Sequence, residues 1–509
     1  MSLPGAVSAA PSPHNDWTLI APVEPGHPAP TAQVSVLVVG DGGDPAGAAR
    51  TVAALRQQRY PDRLLQIVTV TADSDFADQV GTAKGEIIVR IPAGAVPAPD
   101  LVSALTRWQQ ASPAAVSVAV PMIFSGRAPD PDVIVAHASA GTLGQLFPGS
   151  TVDPGLARLL DTTHQLRTAD HLVFLAAAGT GYAFQRDRYQ AGSDRFQGTD
   201  VEVAYRLAQA GAVFVPEPAA TLWTAAPADP VTAGQRADAE LTDLVPFPRE
   251  RRNRPGRVWQ VPLVTAVVPV DQPYQVVRSC VDRLLGSDER DLHVALVGDW
   301  AVAGTNSSGA DSSGTDGSGT DGSGTDGSRA DSGRADLRLL AAEYRSEPRV
   351  RMVSSAPVTA FPAPYLLRVP ARLGVGPRAV RSLVAAMEKW RCGLLRVLPA
   401  GAGAPTHAVE LWSTAARSRA LHAGTADGAL VEAVAASHGQ RWETGSEYDV
   451  VDLTAAGSGA AGGSATAGPR GGRRAGQTVT VGGARSLGRA TVFVARKYAR
   501  GVRRRLVSR

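Results

Sequence analysis

The chain has little cysteine: Cys280 and Cys392 are its only two, far apart and without the C-x-x-C spacing on which metal and redox sites depend. They read as reduced, buried thiols of a cytoplasmic protein. Lys, Ile and Asn are scarce, while Ala, Gly, Arg, Val and Pro dominate, the coding bias of a GC-rich bacterial genome and no functional signal. No apolar run reaches a membrane span, since Val261–Val270 and His171–Ala178 are about half of one. Met1–Asp16 has no basic cluster followed by an apolar run, which argues against secretion. Acidic residues are missing from Arg485–Arg509, which holds nine of the 51 basic residues, so the formal charge of +4 belongs to this tail and not to the body.

What is present is a chain long enough, at 509 residues, for two ordinary cores. Residues 1–32, rich in Pro, Ala and Ser, read as a flexible leader. Val34–Val39 is a β-branched run suited to a strand buried on both faces. A helix over Ala46–Gln58, strands at Ile67–Thr71 and Glu86–Ile91, a helix over Pro99–Gln109 and a strand at Ala115–Val120 follow. This alternation predicts a doubly wound α/β domain over 33–248.

Residues 249–260, charged and punctuated by Pro, suit a linker. A second α/β domain over 261–456 then repeats the pattern: strand Val264–Val270, helix Tyr274–Leu285 and strand Leu292–Val297. Strands are expected at Val350–Val353 and Leu394–Leu398, and helices at Arg378–Lys389 and His407–Leu421. Within it, residues 303–336 are mostly Gly, Ser, Asp and Thr and read as a disordered insertion. Residues 457–484 form a further flexible linker. A weak internal repeat matches Val89-Arg90-Ile91-Pro92-Ala93-Gly94 with Leu395-Arg396-Val397-Leu398-Pro399-Ala400-Gly401, consistent with duplication of one fold.

The most specific segment, Gly179–Pro218, reads GTGYAFQRDRYQAGSDRFQGTDVEVAYRLAQAGAVFVPEP. In order and spacing, Gly181, Arg186, Gly192, Phe196, Asp200, Arg206, Leu207, Ala210 and Gly211 resemble the acceptor half of the family-2 glycosyltransferases. Gln57–Asp62, Gly85-Glu86-Ile87 and Val96–Asp100 resemble their nucleotide-binding half, so the resemblance spans about residues 33–225. It implies a Rossmann-like GT-A fold with a mostly parallel sheet, and a second, smaller unit of the same type. Enzymes of this family bind a nucleoside-diphosphate sugar at the carboxyl ends of the strands and invert the anomeric carbon. A carboxylate deprotonates the acceptor, and a divalent metal, Mn or Mg, offsets charge on the leaving diphosphate.

On this resemblance Asp200 takes the general-base position. The residue also suits a plain helix cap for Val201–Ala210, and one side chain can serve both roles. Glu202 is the weaker substitute. Gly181, Arg186 and Arg206 fall on the acceptor side, and Asp73, Arg90, Pro92 and Gly94 on the donor side. The Asp-X-Asp that would hold the metal is Pro92-Ala93-Gly94 here, so no cofactor is evident, and a divalent metal, Mn or Mg, which stays open, would have to bind without its usual ligands. The late metal-site His is replaced near Trp223, which reads as a packed aromatic. His164 and His171 have no second ligand at a metal-binding spacing. In the second unit Asp299 could meet a nucleotide, and an inactive duplicate is the reading favoured there.

In the tail, Val492, Ala495, Ala499, Val502 and Leu506 form one apolar stripe flanked by arginines, a basic amphipathic helix over 485–509 suited to an anionic membrane or, more blandly, solvated. No nucleic-acid motif accompanies it. Two functions stand. One is a cytoplasmic glycosyltransferase, peripheral at the inner face of the membrane, acting on a cell-envelope glycan or lipid-linked acceptor. The other is a non-catalytic GT-A scaffold that binds a glycan or a partner glycosyltransferase at the membrane.

Overall fold

The computed structural model describes residues 15–20, 25–26, 29–40, 43–189, 198–226, 241–252, 256–301, 324–399 and 408–454. They fall into two compact units. The larger holds the described parts of 11–253 together with 414–433, and the smaller those of 254–413 and 434–454. The expected linker 457–484 and basic helix 485–509 lie outside the described residues.

In the larger unit, β1 (Val34–Val39) is buried at all six positions, as a run of branched side chains between two helical layers must be. A Gly/Asp turn leads into α1 (Pro45–Leu55), started by Asp44 as N-cap, its carboxylate accepting from Gly47 N, and by Pro45 at the first helical position. Next come β2 (Leu65–Val70), α2 (Phe76–Thr82), β3 (Ile87–Pro92), the short β4 (Val96–Pro97), α3 (Leu101–Ala111) and β5 (Ala115–Phe124). The unit continues with α4 (Pro131–Ser139), β6 (Thr151–Val152), α5 (Pro154–Thr162), β7 (Tyr182–Gln185), α6 (Asp200–Gln209) and β8 (Val213–Ala225). The strand order is β2-β1-β3-β7-β5-β8-β4, with β6 on β5. β1 runs parallel to β2 and β3, and β5 to β8, while β7 is antiparallel to both of its neighbours. The carboxyl ends Val39, Val70 and Pro92 therefore share one edge, and reversed β7 brings its amino end, Gly181 and Tyr182, to the same edge.

Val36, Val38, Val89, Ile91, Leu101, Leu105 and Leu222 fill the core between sheet and helices. Trp223 stacks on Phe147 at 4.9 Å, so it is a packed aromatic. Across the sheet, Glu217 is fully buried against Arg107 (Oε2 to Nε 2.6 Å) and also accepts from Trp108 Nε1 at 2.7 Å. Burial of this carboxylate is compatible with folding because cation, indole and backbone amide all meet it.

The leader is not uniformly loose. Asn15 is buried, and its amide donates to Phe214 O (2.7 Å) and accepts from Phe214 N (2.7 Å), imitating a strand partner. Trp17 meets Trp108 edge-on at 5.7 Å.

The smaller unit contains β9 (Val264–Pro269), α7 (Tyr274–Leu285), β10 (Leu292–Val297), α8 (Gly324–Glu343), β11 (Val350–Val353), β12 (Tyr365–Arg368) and β13 (Leu373–Gly374). It continues with α9 (Ala379–Trp390), β14 (Leu394–Leu398), β15 (Val409–Ser413), β16 (Gln440–Thr444) and β17 (Val451–Asp452), β17 pairing only with β13. Its main sheet has the order β11-β10-β9-β12-β15-β14-β16. From β10 onward this copies β2-β1-β3-β7-β5-β8, including the single reversed strand, β15 in place of β7. Both units are thus of one fold class, α/β with a mostly parallel, doubly wound sheet.

Several expectations need correction. Residues 303–336 are not disordered throughout, because α8 starts at Gly324, anchored further on by buried Leu340 and Tyr344. The helix expected over His407–Leu421 is strand β15 followed by α10 (Thr414–His422), and 414–433 pack with the larger unit. There Arg419 donates to Gly211 O (2.9 Å) and Ala212 O (3.2 Å), the free carbonyls past the end of α6. The repeat was also misaligned. β14 corresponds to β5, and the counterpart of β3 is β12, so Arg90-Ile91-Pro92-Ala93 matches Arg368-Val369-Pro370-Ala371. Arg90 lies opposite Leu37, the fourth residue of β1, and Arg368 opposite Val267, the fourth of β9.

Candidate functional site

The carboxyl edge of the larger unit's sheet is poor in Cβ atoms where β1 and β3 end. A Cβ on Gly40 would stand 2.9 Å from that of Ala93, and one on Gly47 would stand 3.2 Å from Gly94 Cα. Gly94 has φ +88° and donates its amide to Thr51 Oγ1 at 2.9 Å. Pro92 and Gly94 therefore form a tight backbone crossing that supplies no ionisable group. The carboxylate reaching toward it is Asp44, 3.9 Å from where a Gly94 Cβ would be and paired with Arg50 at 3.2 Å. Sequence reading missed Asp44, although the cap signal before Pro45 marks it.

Beside this crossing a charged group converges. Arg90, 4% exposed, reaches Asp73 Oδ1 and Gly198 O, each at 3.4 Å, and lies 5.5 Å over the Phe76 ring. Gly198 has to be glycine: its φ is +71°, and an added Cβ would fall 1.8 Å from Asp73 O. Directly across the ladder from Arg90 stands Tyr182, whose hydroxyl donates to Asp200 O at 3.4 Å. Burial pushes the Tyr182 phenol well above its ordinary range, and the charges felt there are those of Arg90, Asp200 and Asp73. Asp73, Arg90 and Asp200, named from sequence, are thus brought together, and Tyr182 joins them.

Asp200 is half-buried at the first position of α6. The N-cap is Thr199, whose Oγ1 accepts from Glu202 N, so the cap role belongs one residue earlier than expected. Asp200 Oδ1 accepts from Val201 N at 2.9 Å, and Oδ2 accepts from the Gly179 amide. Glu202 is fully buried and paired with Arg206 at 3.0 Å, four residues on, which makes both internal to α6's packing. Gly181 is buried, and a Cβ there would meet Ile91 Cδ1 at 2.8 Å. Arg186 stands at the opposite edge of the sheet: its amide donates to Glu86 O (2.9 Å) and its guanidinium to Ala83 O. Gly192 and Phe196 lie outside the described residues, as does most of Pro399-Ala400-Gly401. In the smaller unit Asp299, beyond β10, is exposed.

A divalent metal does not fit the described residues. Asp44 is turned to Arg50, Asp73 to Arg90 and Asp200 to backbone amides, and no three His, Cys, Asp or Glu side chains converge among the described residues. His171 packs on Phe247 at 4.5 Å.

The mostly parallel sheet, with reversed β7 set between β3 and β5, is that of a Rossmann-like, GT-A-type fold. Similar solved structures include GalNAc-T7 with UDP, GalNAc and Mn2+, 12% identical over 38% of this chain and 44% of that one, at a TM-score of 0.25. A mannosyltransferase from Pyrobaculum calidifontis in complex with GDP-Man and Mn2+ is 14% identical over 43% and 66%, at 0.27. S. aureus TarS in complex with UDP-GlcNAc is 9% identical over 36% and 55%, at 0.23. The chain thus spans less than two thirds of each of these chains. No protein-family model matches it, and no curated protein does. No helix among the described residues is long and apolar enough to cross a membrane.

Proposed function

We propose that this chain is a glycosyltransferase that binds a nucleoside-diphosphate sugar at the carboxyl edge of the larger unit's sheet and transfers the sugar with inversion. The supporting observation is the meeting of Asp200, Tyr182, Arg90 and Asp73 at that edge, where open α/β sheets bind ligands. Asp200 is the general base, held by the Gly179 and Val201 amides, which fix the position of its carboxylate. The acceptor is a cell-envelope glycan or a lipid-linked sugar, and the basic segment Arg485–Arg509 draws the protein to the inner, anionic face of the membrane.

One observation favours a second reading, a non-catalytic scaffold that binds a glycan or a partner glycosyltransferase: Arg90 and Asp73 answer each other, and both Asp200 oxygens accept from backbone amides. The deciding experiment is titration of the purified full chain with UDP-, GDP-, TDP- and CDP-sugars, with and without Mn2+ or Mg2+, followed by donor turnover. Binding with turnover that Asp200→Ala abolishes supports the transferase. Binding of no donor leaves the scaffold.

A further inference from the structure

The family to which the sequence is similar neutralises the departing diphosphate with a metal, and the described residues here do not hold one. Something else must carry positive charge at the same edge. Arg90, Arg186 and Arg188 lie on or just after the strands that border the site, β3 and β7, and the fold separates them. Arg186 is at the opposite edge with its guanidinium on Ala83 O, and Arg188 is buried in the same turn. Arg90 alone of the three stands on β3, two residues before the crossing at Pro92–Gly94.

Its surroundings are unusual for a structural arginine. Both polar contacts, to Asp73 Oδ1 and to Gly198 O, are 3.4 Å long, against about 2.7–2.9 Å for a charge-assisted hydrogen bond. Its Nε is buried and has no hydrogen-bond partner. Asp73, by contrast, keeps 38% of its side chain exposed. A guanidinium this loosely satisfied gains more from a better acceptor than a well-paired one does, and a diphosphate presents oxygens suited to its planar fork. The smaller unit carries an arginine at the same strand position, Arg368, followed by Val-Pro-Ala where Arg90 is followed by Ile-Pro-Ala, and again without an acidic motif.

From this we infer that Arg90 takes the place of the metal, binding the donor's diphosphate directly, and that Asp73 is a gate that occupies the guanidinium until the diphosphate displaces it. The inference rests on the donor reading of this edge. It makes donor binding independent of divalent ions and places Asp73 in competition with the diphosphate, so removing the Asp73 charge strengthens the site.

The test is calorimetric titration of the full chain with UDP, GDP and inorganic diphosphate, each in EDTA and in Mn2+. Affinity for at least one nucleoside diphosphate is expected to agree within about twofold between the two conditions. Asp73→Asn raises affinity for inorganic diphosphate several-fold. Arg90→Gln lowers it by roughly 10- to 100-fold, the loss of bonds to a charged group, and Arg90→Lys by less. Should Arg90→Gln fail to fold, the EDTA comparison and Asp73→Asn still decide. Binding that EDTA abolishes, or Asp73→Asn with unchanged affinity, overturns the inference and leaves the donor reading standing. A wild-type chain that binds no diphosphate overturns both.

Discussion

Asp200 and Gly179 are joined by a hydrogen bond from the Gly179 amide to Asp200 Oδ2, which ties the first residue of α6 to the turn before β7. The same carboxylate is thus a structural acceptor and the proposed base, and the two roles separate by substitution. Asn at 200 keeps the shape and one carbonyl oxygen, enough for one of the two amides, but cannot take a proton. Asp200→Asn is expected to bind donor within about twofold of wild type and to lose about 100- to 10,000-fold in transfer rate, the usual worth of a positioned base. Single-turnover transfer beside donor titration checks it, and an equal loss in both would make Asp200 a structural residue only.

Gly198 and Gly141 have nearly the same backbone, φ +71° and +70°, but an added Cβ meets Asp73 O at 1.8 Å in the first and open space in the second. Gly141→Ala is expected to lose only the left-handed penalty, about 1–2 kcal/mol. Gly198→Ala is expected to lose that and a further ~1–3 kcal/mol for overpacking. Urea unfolding of the pair measures the difference, and equal losses would show that Gly198 does not press on the Asp73 backbone.

The Arg107–Glu217 pair supports the junction of α3 and β8, buried on both sides. Glu217→Gln leaves the guanidinium uncompensated and is expected to destabilise the larger unit by about 3–5 kcal/mol, whereas Arg107→Met with Glu217→Gln, which removes the charge and keeps an acceptor for Trp108 and Ala219, is expected to recover part of that loss. Thermal unfolding of the single and double variants tests this. A single-variant loss under about 1 kcal/mol would mean that water reaches the pair.

Cys280 and Cys392 are buried, and burial raises their thiol pKa to about 12 and about 11. Since the thiolate is the reactive form, both stay protonated up to roughly those values in the folded chain. At pH 8 a thiol reagent is expected to modify neither until denaturant is added, and then both. Rapid labelling of the native protein at pH 8 would contradict the burial of at least one.

Much of the fold was legible because its signals are local. The run of β1, apolar at every position but Ser35, and the boundaries of α7, β10, β11 and β14 follow from periodicity and turn chemistry. The failures were non-local. Tyr365–Arg368 is a short run like many others, and only its pairing with β9 and β15 identifies it as the counterpart of β3; without that pairing, the Pro-Ala after Leu398 looked like the better match. Asn15 seemed part of a loose leader because its partner, Phe214, is 199 residues away. In the site, Asp200 was named from the order and spacing of its segment, whereas Asp73 and Arg90 were named only as stand-ins where the resemblance fails to match, and that all three lie at one edge is a product of the fold. Arg186, named on the acceptor side, joins the opposite edge from these three, because the direction of β7 decides which edge it reaches, and direction is a property of the whole sheet. Tyr182 was missed because a buried aromatic on a strand ordinarily signals core.

The most direct test of the central claim, that the carboxyl edge of the larger unit's sheet is the nucleotide-sugar site, is amide hydrogen exchange of the full chain with and without a saturating donor. The account predicts added protection at Thr71–Phe76, Arg90–Gly94 and Gly179–Tyr182, with none at Ala83–Glu86 at the opposite edge. Protection confined to the smaller unit, or to Ala83–Glu86 and Arg186, would contradict it.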